Sequence, residues 1–528
     1  MSNHAYESAA ALRPSSNGPI PISTLCERFS LAPASAEDAA ALNDLSILGV
    51  SVDSADTAPG ELFVGLPGFT VHGARFAAQA VASGAVAVLT DADGAQIVHE
   101  TAPGTPVLVH DDPRAVVGPL SAEVYHHPAR GLITTAVTGT NGKTTTSYFL
   151  DAILSAHVGG CMVAGTVELR VGERSVESPR TTVEAPVLQR MMALAVEDKV
   201  GAASLEASSH AIVLHRLDGI VVDVAGFTNL QRDHLDFHKT MEGYLEAKAQ
   251  LFTPEHARRG VVCVDDQWGA ALAAEAPIEI DRVRAYPGET PADWWVSDAA
   301  VSMTDSATTF TLHGPDGEKI EASCPLPGLV NVQNAALALV MAIRAGVPAA
   351  TAATALAGAH NIPGRMQRIS QRDGRRGLCI VDFAHTPEAM ELALKAVRPI
   401  TPGRLIVVFG SDGDRDQGKR PMLGEVCARL ADVLVVTDEN PRSEDPQLIR
   451  NAILEGVRGV RPDLTDVEEI TTWRGDAVRR GVELCGPDDT VIVTGKGHEP
   501  FLEMAGEFIR YNDAPVMAEA VEEKWGRA

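Results

Sequence analysis

Apolar and polar positions alternate along the 528-residue chain in two registers: short continuous apolar runs, and longer stretches whose apolar residues recur at helical spacing. In the last third, "LCIVDFA", "RLIVVFG", "VLVVT" and "TVIVTG" read as β-rich runs, separated by helical segments such as "PEAMELALKAV" and "RGDAVRRGVEL". That alternation predicts a parallel sheet with helices on both faces. Ligands on such sheets gather at the carboxyl ends of the strands, where the unusual polar stretches of this region fall. Nearer the middle, "LITTAV" leads through a glycine-rich turn into "TTTSYFLDAILSA", the strand, turn and helix that a phosphate loop requires.

Pro pairs with Gly between periodic segments at residues 126–131 ("HHPARG") and 360–368 ("HNIPGRMQR"), a composition typical of linkers. The chain is therefore expected to be an α/β protein of three domains. A loose tail over residues 1–22 precedes a domain over 23–130. A central P-loop ATPase-like domain with a mostly parallel sheet follows over 131–362, and a C-terminal Rossmann-like domain over 363–528. The tail is polar and rich in Pro and Ser, without the basic start and apolar run of a signal peptide. No stretch of about 18 apolar residues offers a membrane span.

Charge and cysteine content narrow the function. A formal net charge of -26 argues against general affinity for nucleic acid or anionic membranes, so anionic ligands need local clusters of Lys and Arg. The 7 cysteines are scattered and never form C-x-x-C, which favours reduced thiols in a cytosolic protein over a disulfide framework or a zinc site.

The turn itself, "AVTGTNGKTTT", departs from G-x-x-x-x-G-K-[ST] by one glycine, since Val137 stands at the first position. Gly139, Thr140, Asn141, Gly142, Lys143, Thr144 and Thr145 nevertheless supply inward N–H groups, a helix start, a lysine for terminal phosphates and a hydroxyl for magnesium. The plainer alternative is a tight strand-to-helix turn that carries a lysine.

In "TMEGYLEAKAQLF", Met241, Tyr244, Leu245, Lys248, Leu251 and Phe252 share one helical face, so Lys248 stands where an apolar residue is expected. A lysine buried there has a lowered pKa and becomes a nucleophilic amine able to take up carbon dioxide as a carbamate. Alternatively its stem lies on the core and its head reaches water. Glu206 in "LEASSH" and His234 in "TNLQRDHLDFH" could join it around one or two Mg²⁺ ions, and spacing does not choose His234 over His210, His215 or His238.

These residues resemble those of the Mur ligases, ATP-dependent amide-forming enzymes of peptidoglycan precursor synthesis. The resemblance covers nearly the whole chain after the tail, through "TGTNGKTTT", "LEASSH", "FTNLQRDHLD", "PGLVNVQNAALA", "IPGRMQR", "VDFAHTPEAM" and "FGSDGDRDQGKRP" in the family's order. It implies ATP and Mg²⁺ as cofactors, Lys143 on the β and γ phosphates, and Thr144 and Glu206 on one Mg²⁺. Glu206, His234 and carbamylated Lys248 are implied around a second. Asn331 and Asn334 are expected near the adenine, with Arg365, Asp382 and His385 closing the nucleotide site. The family transfers the γ-phosphoryl group to a carboxylate and lets an amine attack the acyl phosphate.

"SVDSADTAPGELFVGLPGFTVHGARF" resembles the uridine-nucleotide domain of ligases that add the third stem-peptide residue. Ser54, Thr181, Thr182, Ser208 and Arg216 are thereby implied around the UDP-muramoyl dipeptide. "TDENPRSEDP" resembles the loop with which meso-diaminopimelate-adding members grip the distal carboxylate, through Asn440 and Arg442. Glu439 replaces that motif's Asp, and Arg415, Gly495 and Glu499 complete the implied pocket. Leu214, Ser411 and Asp412 also depart from common family residues. The resemblance implies a cytoplasmic monomer acting on small molecules, with neither nucleic acid nor membrane insertion. A lysine-adding ligase, a folylpolyglutamate synthase and a non-catalytic nucleotide-sugar sensor are the competing readings. The folate enzyme needs neither the Ser54 domain nor the Arg442 loop, and a sensor needs no metal cradle.

Overall fold

The computed structural model describes residues 9–302, 307–359 and 362–526. The chain divides into two compact units: Met1–Trp295 with Gly314–Gly317 and Asn334–Ala355, and Val296–His313 with Glu318–Gln333 and Leu356–Ala528.

The first unit opens on a five-stranded sheet in the order Ala32–Pro33, Val107–Val109, Ala87–Thr90, Glu61–Val64, Gly49–Ser51. All neighbours are parallel except Ala32–Pro33, which runs antiparallel along the edge. A second sheet follows the order Arg174–Glu177, Glu168–Val171, Cys161–Ala164, Ala202–Glu206, Ile133–Thr138, Val222–Phe227, Ala257–Cys263, Glu279–Arg284 and the start of Trp294–Val301. It is parallel from Cys161–Ala164 onward, with an antiparallel hairpin on the other edge. Ala202–Glu206 is buried along its whole length, as a strand covered on both faces should be.

The second unit carries an antiparallel hairpin, Thr308–His313 with Lys319–Cys324, and a six-stranded sheet. Its order is Gln367–Ser370, Leu378–Val381, Thr490–Val493, Leu405–Phe409, Val433–Val436, Val467–Glu469, parallel except for the first strand. The four apolar runs read from the sequence are these central strands, and the expected helices form at Pro387–Val397 and Arg474–Leu484. Thr386 caps the first of them by accepting from Ala389 N, with Pro387 in the first turn.

The linker expectation at 360–368 falls partly outside the described residues, which omit 360 and 361. The tail expectation also meets that limit over residues 1–8, but from Ala9 onward it needs correction. Leu12 is fully buried in the core of the second sheet, and Arg13 pairs with Asp56 and Glu61. Asn17 Nδ2 donates to the Leu48 and Val124 carbonyls. Composition could not reveal this, because one leucine and one arginine anchor an otherwise polar stretch. All seven cysteines are free thiols, six of them buried. Among the described residues no helix is long and apolar enough to cross a membrane.

Candidate active site

The phosphate loop joins the strand Ile133–Thr138 to the helix Lys143–Val158. Gly139 and Gly142 take φ of 142° and 92°, which side chains rarely adopt, and a Cβ on Gly142 would run into the Asn334 carboxamide. Val137 is an interior residue of the strand, paired to Glu206 and Gly226, so the missing glycine falls before the turn begins. The segment after Phe227 pins the loop: Thr140 N donates to Asn229 O at 2.9 Å, Thr228 Oγ1 to Asn141 O at 2.6 Å, and Asn141 Nδ2 to Gln231 Oε1 at 2.8 Å. Lys143 Nζ folds back on the Gly139 and Thr140 carbonyls, at 3.0 and 2.9 Å. Thr144 and Thr145 lie buried in the first helical turn.

Glu206 ends its strand beside this loop and is 1% exposed. It accepts from Thr144 Oγ1 at 3.0 Å, Thr166 N at 2.8 Å and Thr166 Oγ1 at 2.9 Å. Its main-chain oxygen accepts from Thr182 Oγ1 at 2.7 Å, and Ser208 N donates back to Thr182 Oγ1. Thr166 Oγ1, its proton given to Glu206, lies 3.2 Å from Thr181 Oγ1 and can accept from it, and Arg216 donates to Thr182 O at 3.1 Å and pairs with Glu184. Thr144, Glu206, Thr181, Thr182, Ser208 and Arg216 are thus one hydrogen-bonded group. Ser54 stands apart in the five-stranded region, its hydroxyl donating to Gln79 Oε1 at 3.1 Å.

Lys248 is on the helix Met241–Ala249, which Thr240 caps by accepting from Gly243 N. It is 1% exposed, donates to Gly139 O at 2.8 Å, and lies 4.4 Å from the Tyr244 ring centroid. Burial, reinforced by the Lys143 charge, pushes its pKa well below the ordinary lysine value. Against Tyr244 also lie His238, stacked at 4.9 Å, and His234, whose backbone is left-handed at φ 53°. The His210 ring packs against His234, Phe237 and His238. Burial lowers the pKa of all three histidines, His238 to about 4, which favours the neutral imidazole. His215 instead bonds Asp218 at 2.8 Å. No group of three or more His, Cys, Asp or Glu converges for a metal among the described residues. The Glu206 carboxylate in contact with the Thr144 hydroxyl is a pair of hard oxygen donors, which suits Mg²⁺.

The two asparagines differ. Asn334 Oδ1 is buried without a hydrogen-bond partner and faces Gly142, whereas Asn331 Nδ2 is committed to the Pro327 carbonyl at 2.8 Å.

In the second unit, Arg365, Asp382 and His385 gather around Phe383. The Arg365 guanidinium lies 4.3 Å from that ring, and Asp382 accepts from Met366 N and Ala384 N. His385 Nδ1 is 2.9 Å from the Phe383 carbonyl, and burial lowers the pKa of the imidazole from its ordinary value. At the carboxyl ends of Val433–Val436 and Thr490–Val493, Asn440 Nδ2 donates to Glu499 Oε2 at 3.0 Å. Glu439 is buried against Gly495, whose φ is 108°, and Glu439 Oε2 has no hydrogen-bond partner. Burial and the nearby Asp412 carboxylate push Glu439 up to about 8. Arg442 stands 3.9 Å from Asp412 and 3.5 Å from Glu503, and its Nε makes no hydrogen bond. Arg415 is exposed on the loop before the helix Lys419–Leu430.

Sequence reasoning passed over Thr166, which supplies two of the three donors to Glu206, and read Tyr244 only as a member of an apolar helical face, not as the ring that both Lys248 and His238 meet. It also passed over Lys496, although "TGKGHE" signals it as a lysine between two glycines beside Glu499.

A glycine-rich phosphate loop on a parallel sheet, with a carboxylate and a buried lysine beside it, is the arrangement of a nucleotide-phosphate site in an α/β protein. Residues 137–342 match the Mur ligase middle domain, 364–497 the Mur ligase glutamate ligase domain, and 46–125 the Mur ligase family catalytic domain. A UDP-N-acetylmuramoyl-L-alanyl-D-glutamate--2,6-diaminopimelate ligase of Streptomyces avermitilis is 43% identical over 92% of this chain and 94% of its own. A UDP-N-acetylmuramyl-tripeptide synthetase of Leifsonia xyli is 42% identical over 95% and 96%. A solved UDP-N-acetylmuramoyl-L-alanyl-D-glutamate--2,6-diaminopimelate ligase superposes with a TM-score of 0.64 at 31% identity, over 91% of this chain and 95% of that one. The chain belongs to the Mur ligase family, and its fold is the family's three-domain α/β fold.

Proposed function

We propose that this enzyme joins meso-2,6-diaminopimelate to the D-glutamate carboxylate of UDP-MurNAc-L-Ala-D-Glu, using ATP, in the cytoplasm and as a monomer. The observation that carries the choice of amino acid is Arg442. Its guanidinium lies between two carboxylates without a short contact to either, beside the Asn440 and Glu499 pair. A planar, underused guanidinium matches the distal carboxylate of a diamino diacid bidentately, and L-lysine has no such group. The two relatives named as diaminopimelate ligases agree with this reading.

In the proposed reaction Lys143 leaves the Gly139 carbonyl to hold the β and γ phosphates, while the loop N–H groups receive the remaining phosphate oxygens. Thr144, Glu206, His234 and carbamylated Lys248 would hold Mg²⁺, which supplies charge neutralisation to the transferring phosphoryl group. Asn334 serves the adenine side; Asn331 is already engaged within the chain. Arg365, Asp382 and His385 of the second unit serve the nucleotide. Ser54 serves the uridine end, and Thr181, Thr182, Ser208 and Arg216 orient the muramoyl dipeptide so that its carboxylate accepts the phosphoryl group. Arg415, Glu439, Asn440, Arg442, Gly495 and Glu499 hold the amino acid, whose amine then displaces phosphate from the acyl phosphate.

Phosphate release and tripeptide formation by the purified protein, with ATP, Mg²⁺ and the UDP-muramoyl dipeptide, test this reading. Turnover requiring meso-diaminopimelate is expected; turnover with L-lysine alone would replace it with the lysine-adding activity.

A further inference from the structure

Lys496 is fully buried at the carboxyl end of Thr490–Val493. Burying an ammonium is costly unless its donors are met, and here all three are. Nζ donates to Asn440 Oδ1 at 2.9 Å, to Glu499 Oε2 at 3.0 Å and to the Phe501 carbonyl at 2.5 Å. Two of these acceptors are side chains of the proposed amino-acid pocket. The third begins the hairpin Phe501–Met504 with Glu507–Arg510.

Each contact fixes something that the pocket needs. Asn440 Oδ1 accepts from Lys496 and also from Glu503 N at 3.2 Å, so its amide nitrogen is turned toward Glu499. Glu499 Oε2 accepts from both Asn440 and Lys496, and these two contacts fix the orientation of the partly exposed carboxylate. The hairpin holds the Arg442 main chain, with Arg442 N donating to Glu503 O at 3.0 Å and Ala505 N to Arg442 O at 2.7 Å. One ammonium therefore sits at the node joining Glu499, Asn440 and the segment that carries Arg442.

We infer that Lys496 is a positioning residue for the amino-acid substrate, setting the Glu499 carboxylate and the Asn440 amide in the orientation that receives the substrate's charged ends. It acts through Glu499 and Asn440 and does not itself touch the substrate. This assignment rests on the amino-acid pocket of the proposed function, though not on which diamino acid the pocket takes.

The test is steady-state kinetics of Lys496→Met and Lys496→Gln, with wild-type enzyme first assayed against meso-diaminopimelate and L-lysine. Misplaced recognition groups should raise the KM for the amino acid roughly 10- to 100-fold. The KM values for ATP and the UDP-muramoyl dipeptide should stay within about threefold, as should kcat at saturating amino acid. Lys496→Gln combined with Glu499→Gln should fall short of the product of the single effects, because both remove one interaction. An unchanged amino-acid KM, or a fall in kcat with all three KM values unaltered, would overturn the assignment. So would collapse of both variants into insoluble or unfolded protein, which would make Lys496 a purely structural lysine. A wild-type enzyme that ligates only L-lysine would remove the diaminopimelate reading and leave the Lys496 effect to be read on the lysine KM.

Discussion

Lys143 and Lys248 donate to the same main-chain oxygen, the Gly139 carbonyl, at 3.0 and 2.8 Å. Two ammonium groups on one acceptor repel, and Lys248 is also almost fully buried. Both effects favour its neutral amine, the form that adds carbon dioxide. Lys248→Ala is expected to lose nearly all ligase activity, and added short-chain carboxylates should restore part of it by standing in for a carbamate. A fully active Lys248→Ala enzyme would refute the carbamate role.

Glu206 depends on space that Gly165 leaves open, since a Cβ at Gly165 would run into the Glu206 carboxylate. Gly165→Ala should displace that carboxylate from Thr144 and Thr166. Glu206→Gln should go further, placing an amide donor among three donors and leaving at least one unsatisfied, at a cost of about 1–3 kcal/mol in stability. Both variants should lower kcat, with Glu206→Gln down roughly 100-fold or more. Single-turnover phosphate release checks this, and a Gly165→Ala enzyme with wild-type kcat would contradict it.

Arg442→Leu should raise the KM for meso-diaminopimelate by roughly 30- to 150-fold, the equivalent of about 2–3 kcal/mol for a charge-assisted pair. It should leave any use of L-lysine unchanged, so that a preference for meso-diaminopimelate narrows. Competition between them, followed by mass spectrometry of the product, measures the ratio directly. A wild-type enzyme with no preference would remove the role assigned to Arg442.

How much of this was legible in the sequence follows from the range of each interaction. The phosphate loop could be read because its glycines, lysine and threonine are consecutive, and the second unit's central strands because they are apolar on both faces. Lys248 stood out because it broke a helical pattern that its neighbours kept. Thr166 was invisible because it meets Glu206 across 40 positions of sequence, joined only when the strands of the sheet assemble. Lys496 was hidden for the opposite reason: it sits inside a recognised motif, and only the fold shows that its ammonium turns inward.

Glu439 should give the molecule a pH dependence whose sign follows from its surroundings. Burial and Asp412 push its pKa from 4.5 up to about 8, opposed by Lys419 and Arg474. A carboxyl raised on folding holds its proton more tightly in the native state. Its stabilising contribution is therefore full below the unfolded value and is lost as pH rises through the folded one. Relative to Glu439→Gln, the wild-type protein should lose melting temperature between about pH 5 and pH 8, and the gap should level off above that. Paired thermal melts across this range decide it; a gap that does not change with pH would show that Glu439 titrates normally.

The segment after Ala9 should prove necessary for stability although its composition reads as a tail. Leu12 is fully buried in a cluster with Leu132, Leu188 and Met191, so Leu12→Ala leaves a cavity worth about 2–5 kcal/mol. Arg13 bonds Glu61 and the Asp56 carbonyl, while Asp56 also pairs with the buried Arg190 at 2.9 Å. Arg13→Met would leave Glu61, 3% exposed, with the Ala58 N–H as its remaining described donor. Because removing one partner strands a buried charge, the Arg13 variant should also be destabilised, by about 3–5 kcal/mol at most. Denaturant titration of both variants checks the pair, and wild-type midpoints would mean that this segment is dispensable to the fold.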